Sequence, residues 1–411
     1  MTFYDVIVVG AGPAGATAAK LLGEAGLSVL LLDKSEFPRD KPCGGGISAR
    51  VTRRFDYLEG ALRKIPVKWV SKIYFESPSG ISVEYESEGR LYAMLRRREF
   101  DDLLLSLARP RVVFQAPALV RGMRFDEDGA TVDAEVGQKR VEYRCRIVLG
   151  CDGANSIVAR AAGLRRGEVR NEYAIDLMEE TPHTELDAAD RDTMYIYYRA
   201  HSDNGYGYLF PKTNHVNLGV GFKLDHYLAE RRGSHYSRHR AFAQELISKR
   251  LLTGESNPAN FRAFPLPISG PLPRTYGKGV LLSGDAGGFV NAFTGEGIYY
   301  AMVSGDHAAR AAIRAVRANR FGEEHLRAYQ DAWKSEIGGE LATSVAHQRF
   351  LLASPGRIDR IVSLAKQSPP FADVLARYAT GELSHRALKS WLLRRALPFY
   401  LREKLRAFAS K

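Results

Sequence analysis

One stretch near the start constrains this chain more than any other. Apolar Tyr4-Asp5-Val6-Ile7-Val8-Val9 leads into Gly10-Ala11-Gly12-Pro13-Ala14-Gly15, a helix-like segment from Ala16 to Gly26, and a second apolar run from Ser28 to Leu32. Strand, tight turn, helix and strand in that order predict a βαβ unit whose glycines let the backbone approach a dinucleotide pyrophosphate. Asp33 ends the second strand 18 residues past Gly15, where a carboxylate accepts hydrogen bonds from an adenosine ribose. Gly10, Gly12 and Asp33 are therefore expected to hold a nucleotide, although this stretch alone does not separate FAD from NAD.

Three later motifs join it, Arg97-Arg98-Glu99-Phe100-Asp101, Cys151-Asp152-Gly153 and Gly284-Asp285-Ala286, and the separation comes from the last of them. The last follows a strand, Gly279 to Ser283, and precedes a glycine-rich segment through Thr294-Gly295-Glu296-Gly297-Ile298. A carboxylate at Asp285 suits the ribitol hydroxyls of FAD. The helix expected from Ile298 to Arg317 would start beside the flavin, with its free amides and positive dipole end facing negative charge. Together the motifs describe one FAD site.

At 411 residues and 45% hydrophobic composition the chain suffices for two domains, or one large domain with insertions. No apolar run approaches the ~18 residues of a membrane span. Met1 to Asp5 leads directly into a strand, so no signal peptide is read and cytoplasmic residence is expected. Cys43, Cys145 and Cys151 lack metal-ligand spacing, and three cysteines in this length fit a reducing compartment. No metal site is expected, and the helical pair His235 and His239 reads as solvated surface.

The net charge of +12 and pI near 9.5 suit anionic partners, and no motif points to nucleic acid. Ser384 to Lys411 carries eight Lys/Arg against the single Glu403. There Leu388, Trp391 and Leu392, then Leu401, Leu405 and Phe408, recur at helical spacing around Pro398. This reads either as a peripheral membrane-surface element or as a helix pair packed on the body with a basic outer face.

The fold class expected is α/β: a Rossmann-like FAD-binding domain with an inserted antiparallel β-sheet substrate domain and a C-terminal helical region. The FAD-binding parts are read as 1–65, 97–165 and 272–318, the substrate domain as 66–96 and 166–271, and the helical region as 319–411. Residues 66 to 95 alternate apolar and polar about a turn at Ser79-Gly80. Three further strands are read between Met194 and Phe222, separated by Ser202-Asp203-Asn204-Gly205 and Lys212-Thr213-Asn214. After about residue 320 the pattern is helical, with a break at Ser368-Pro369-Pro370.

With these motifs assembled, the chain resembles the geranylgeranyl reductase family, flavoproteins built like p-hydroxybenzoate hydroxylase. The resemblance spans nearly the whole length. Its more specific marks are Lys41-Pro42-Cys43-Gly44-Gly45-Gly46 and Tyr206-Gly207-Tyr208-Leu209-Phe210-Pro211 with the following Gly219-Val220-Gly221. Tyr378-Ala379-Thr380-Gly381-Glu382-Leu383-Ser384 also looks like the family's C-terminal region. The family usually has Trp where this chain has Tyr208, which bears on substrate range and not on reaction type.

The resemblance implies FAD contacts at Ala14, Gly15, Asp33, Cys43, Gly44, Gly46, Arg97, Asp285, Gly297 and Ile298, with Val120 near the adenine and Asp152 holding the site from behind; Gly295 belongs to the same loop. It implies a polyprenyl substrate against Tyr206, Tyr208, Phe210, Pro211, Gly219 and Gly221. That substrate would be a prenyl lipid, prenyl diphosphate, prenylquinone or prenylated pigment. Such a double bond is not polarised, so protonation must lead or accompany hydride transfer from the flavin. Cys43, Tyr206, Tyr208 or a held water are the candidate proton sources. No second nucleotide fingerprint is present, which leaves NAD(P)H at the flavin face or an acidic ferredoxin-like protein as electron donor. The rival readings are a flavin monooxygenase or halogenase, and a non-catalytic isoprenoid carrier.

Overall fold

The unbroken apolar run Val6 to Val9 needs cover on both faces, which only the interior of a sheet supplies, and all four residues are buried there. The structure, a computed structural model, describes residues 2–165, 170–198, 205–230 and 234–394. Its first part runs β1 (Phe3–Val9), α1 (Pro13–Glu24), β2 (Val29–Leu32), β3 (Gly46–Ser48), α2 (Arg50–Arg54), α3 (Tyr57–Ala61), β4 (Lys68–Val70), β5 (Lys72–Glu76), β6 (Ser82–Glu86), β7 (Tyr92–Met94) and α4 (Arg97–Ala108). It continues through β8 (Val113–Gln115), β9 (Ala118–Phe125), β10 (Ala130–Val136), β11 (Lys139–Gly150), α5 (Ile157–Ala161), β12 (Tyr173–Pro182), β13 (Leu186–Ala188), β14 (Thr193–Tyr198), β15 (Gly205–Pro211) and β16 (His215–Lys223). Then follow α6 (Leu224–Glu230), α7 (His235–Ser248), β17 (Leu252–Gly254), β18 (Phe261–Pro267), β19 (Tyr276–Gly277), β20 (Val280–Leu282), α8 (Ile298–Ala318), α9 (Glu323–Trp333), α10 (Gly339–Leu352), α11 (Pro355–Gln367) and α12 (Pro369–Ala379).

β1 lies between β2 and β11, parallel to both, and the parallel array extends to β8 on one side and β20 on the other. Alternate β1 residues serve two cores. Val6 and Val8 join residues of α1, α4 and α8, while Ile7 and Val9 join the β9–β10 hairpin and α5. This is the α/β arrangement with helices against a parallel sheet that the first motif requires.

A second sheet has the order β18-β12-β16-β15-β14-β5-β6. Its neighbours are antiparallel except β14 and β5. One face packs Leu177, Leu218 and Val220 against Phe242 and Leu246 of α7; the other presents Met178, Tyr208 and Phe210. The antiparallel strands expected between 66 and 95 divide between two sheets. β5 and β6 join this one, whereas β4 and β7 pair with β3 in a separate three-stranded sheet.

The reading of His239 as solvated surface is overturned. His235 is exposed, but His239 is fully buried and its Nε2 meets Glu179 Oε2 at 2.8 Å. It shares the stripe of α7 that carries Phe242 and Leu246, three and seven positions on, toward the sheet. The C-terminal helices are broken at Ser368, as expected, between α11 and α12. Within 384–394, Leu388 is buried and Trp391 stacks on Phe371, while Leu392 and Leu393 are exposed. Leu401, Leu405, Phe408 and the turn residues Ser202, Asp203 and Asn204 lie outside the described residues. Among those described, no helix is long and apolar enough to cross a membrane.

Candidate functional site

The glycine turn is set by close backbone approach. Gly10 has φ +99°, and a Cβ there would lie 2.3 Å from the Cys151 carbonyl oxygen; one at Gly15 would lie 1.8 Å from that of Gly10. The chain ends of β1 and β11 and the start of α1 thus meet where no side chain fits. α1 begins at Gly12 and Pro13 with no side-chain cap and no acid in its first turn, which leaves amides and the dipole's positive end for an anion. Asp33 accepts hydrogen bonds from Ala11 N at 2.8 Å and Ser35 N at 2.9 Å. It therefore braces the turn from the wall of a cavity of about 740 Å³ that also takes in Gly10, Gly12, Ala14 and Val120.

The other motifs converge on this cavity. Arg97, at the start of α4, is buried and bonded to both oxygens of Asp101 at 2.6 and 2.7 Å. Burial opposes its charge, and Asp101 with Cys43 more than offsets that. Asp152 lines the cavity, but its carboxylate takes the Ser156 hydroxyl at 2.5 Å and the Ile157 amide at 2.7 Å, so its charge caps α5. Asp285 sits in a single 3₁₀ turn, Gly284–Gly287. Among the described residues no donor bonds its carboxylate. α8 starts at Gly297 and Ile298, again with neither side-chain cap nor acid, so a second helix start opens on the cavity. These features fit FAD: two uncapped helix starts for phosphate or flavin charge, carboxylates for ribose and ribitol hydroxyls, and glycines where the backbone itself must form the wall.

Beyond the Cys43–Gly46 loop the wall becomes aromatic. A Cβ on Gly44 would lie 2.9 Å from Phe210 Cε2, and the Cys43 carbonyl accepts from Asn217 Nδ2 at 3.2 Å, so the loop is locked onto β15 and β16. Tyr208 and Phe210 have ring centroids 4.5 Å apart, with Tyr206 6.3 Å from Tyr208. Tyr206 donates to the Thr294 carbonyl at 2.7 Å, tying this strand to the Gly295–Ile298 loop. Gly221 lines the cavity; Gly15, Gly219 and Pro211 do not. A Cβ on Gly219 would lie 2.3 Å from Tyr208 Cζ. Gly219 is therefore the space behind the Tyr208 ring, and its contribution to the wall is indirect.

Sequence reasoning missed two charged groups of this wall. Lys41 Nζ lies 3.0 Å from the Phe264 ring centroid; burial first, then Arg97, pulls its pKa down to about 8. Its place in the Lys41–Gly46 motif was the available signal. Asp176 on β12 accepts the Tyr208 hydroxyl at 3.1 Å, and burial pushes its carboxyl up to about 6. Tyr206 and Tyr208 are both raised by burial, with Asp176 adding to the effect. Both keep their protons at any ordinary pH.

Residues 3–332 match the family model of an FAD binding domain. The chain is 33% identical to digeranylgeranylglycerophospholipid reductase 1 of Methanopyrus kandleri, over 81% of this chain and 87% of that one. Among solved structures, a geranylgeranyl bacteriochlorophyll reductase-like protein from Thermoplasma acidophilum superposes with a TM-score of 0.81. It has 22% identity and covers 96% of this chain and 99% of its own. A flavin-dependent brominase superposes at 0.72 with 20% identity, over 98% and 100%. At those identities the two structures show likeness of fold.

Proposed function

The chain belongs to the geranylgeranyl reductase family of FAD-dependent oxidoreductases, and on that footing we propose that it saturates carbon–carbon double bonds in the polyprenyl chain of a membrane lipid. The observation that carries this reading is the continuity of one cavity from the Gly10–Ala14 turn, past Cys43–Gly46, to Tyr206, Tyr208 and Phe210. A dinucleotide suits one end and an apolar chain the other.

In this reading Gly10, Gly12 and Ala14 give the pyrophosphate its backbone cradle, with Gly15 packed behind the turn. Asp33 and Val120 flank the adenosine, Arg97 and Asp152 the middle of the cofactor, and Asp285, Gly295, Gly297 and Ile298 the ribitol and ring. Cys43, Gly44 and Gly46 lie where the two ends meet. Bound reduced FAD supplies a hydride. The chain's own residues hold the prenyl group against Tyr206, Tyr208, Phe210 and Gly221, with Pro211 and Gly219 behind them. A trisubstituted alkene offers no carbonyl to stabilise a carbanion, so a proton must reach the less substituted carbon as the hydride reaches the other. The Cys43 thiol, the Tyr206 and Tyr208 hydroxyls and a held water are the sources for it, the Tyr206 hydroxyl already donating to the Thr294 carbonyl.

Electrons reach FAD from NAD(P)H or from an acidic ferredoxin-like protein suited to the basic surface. The protein works at the membrane surface, held by basic residues of its C-terminal region. The test is anaerobic incubation of the flavin-loaded protein and dithionite with a digeranylgeranyl phospholipid, geranylgeranyl diphosphate, menaquinone and a geranylgeranylated chlorophyll, read by mass spectrometry. Gains of hydrogen in pairs, greatest in the phospholipid, are expected. No gain in any of the four while the flavin is bound and reducible overturns the reading.

A further inference from the structure

We propose that Asp176 holds the proton that Tyr208 delivers to the substrate double bond, the two side chains forming a relay across the face of the second sheet. This deepens the function proposed above and rests on it.

The sheet's register builds the pair. Tyr208 on β15 lies opposite Gly219 of β16, and Asp176 on β12 lies opposite Gly221 of the same strand. Tyrosine and aspartate are thus two strands apart, about 10 Å at the usual strand spacing, with β16 between them. The missing side chain at Gly219 clears the path. A Cβ at Gly219 would lie 2.3 Å from Tyr208 Cζ and 2.4 Å from its hydroxyl oxygen, so the ring lies directly across β16. Its hydroxyl ends 3.1 Å from Asp176 Oδ2 and 3.3 Å from Oδ1. Among the described residues no other donor bonds that carboxyl, and Asp176 and Tyr208 both line the cavity. An indole at position 208 would carry no hydroxyl to complete the pair.

The surroundings suit a group that holds a proton until it is needed. Burial raises Asp176 to about 6, against the Tyr208 hydrogen bond, His239 from α7 and Lys41 from the Lys41–Gly46 loop, which all favour the carboxylate. Tyr206 from β15 faces it electrostatically, and Lys223 of β16 lines the same cavity. Tyr208 is held far above its ordinary value, so it never stands ionised and gives up a proton only as another arrives.

The atoms balance. The Tyr208 O–H bond breaks as a C–H bond forms at the less substituted alkene carbon, while the Asp176 proton moves to the Tyr208 oxygen. The other alkene carbon takes a hydride from reduced flavin, so the substrate gains two hydrogens and two electrons. Asp176 is left as a carboxylate and recovers its proton from water.

The test compares the flavin-loaded full chain with Asp176→Asn, Tyr208→Phe and the double variant. Infrared difference spectra across about pH 5 to 8, taken without substrate, are expected to show a carboxyl titrating near pH 6. That signal should vanish in Asp176→Asn and move in Tyr208→Phe. With substrate, each single variant should lose on the order of 10²-fold in rate, the double no more than either, and the wild-type decline above about pH 6 should be absent from Asp176→Asn. Flavin absorbance reports that each variant binds its cofactor; should Asp176→Asn lose it, Tyr208→Phe carries the comparison. No titrating carboxyl, single variants with wild-type rate and pH profile, or singles whose losses multiply in the double would each overturn the relay. The infrared arm needs no turnover, so it separates failure of the relay from failure of the function itself.

Discussion

Gly219 acts entirely through a ring on the neighbouring strand. A methyl group there would overlap Tyr208 Cζ at 2.3 Å, and the ring has little room to retreat because Phe210 packs 4.5 Å away. Overpacking of this kind costs about 1–3 kcal/mol. Gly219→Ala should lower the thermal midpoint by several degrees and shift the infrared signal of Asp176, whereas an unchanged midpoint and signal would mean that the ring has slack. The residue scale is also where sequence reading loses resolution. Spacing singles out Gly15 and the family resemblance singles out Gly219, but whether such a glycine lines a cavity or stands behind a lining residue depends on register, which one sequence does not display. Asp176 was harder still. Its partner is 32 residues away, and Asp, Glu and Glu within Tyr173–Pro182 dilute the strand signal.

At the scale of elements, the alternation of strands and helices was legible, because apolar period and glycine turns are local. The ties between elements were not. Arg50 of α2 meets both Glu340 oxygens at 2.9 and 3.0 Å, Glu296 at 3.5 Å and the Gly381 carbonyl at 3.3 Å, partners 246 to 331 positions away. Arg50→Ala strands Glu296, which is buried, with little beyond the Ser48 amide at 2.9 Å. Removing one partner of a buried ion pair costs about 3–5 kcal/mol, so denaturant midpoints should fall and amide exchange should quicken in α12; unchanged exchange there would contradict the tie. The π-helical turn Lys334–Gly338 makes a second such joint, presenting Glu336 to His307 of α8 at 2.7 Å and Arg54 of α2 at 2.6 Å. The His307 hydrogen bond, then Arg54, holds Glu336 down to about 2 against partial burial. Its folded value is the lower one, so its stabilisation is complete above about pH 4.5 and drains away as pH falls toward 2. Glu336→Gln should flatten that part of the acid limb in denaturation experiments; an identical limb would show that the joint does not register in stability.

For the whole molecule, a net charge of +12 gives a long-range attraction to anionic surfaces that salt screens. Sedimentation with phosphatidylglycerol vesicles should exceed that with phosphatidylcholine vesicles and should weaken between about 0.05 and 0.5 M salt; equal binding to both would remove the basis for surface attachment. Composition and motif order made the cofactor and fold class legible at this scale, since both rest on spacing along the chain. How the second sheet meets the flavin loop was not, because Cys43 and Asn217 touch across 174 positions. That same dispersal governs how the site comes into being. Its wall is drawn from Gly10, Cys43, Tyr208, Asp285 and Leu352, and β1 gains its neighbour β11 only across more than a hundred residues. Loops of that length close slowly, so a nascent or refolding chain has its glycine turn early and its flavin pocket late. Capture of the cofactor therefore marks the end of folding, and an unfinished chain is distinguished by its inability to hold colour.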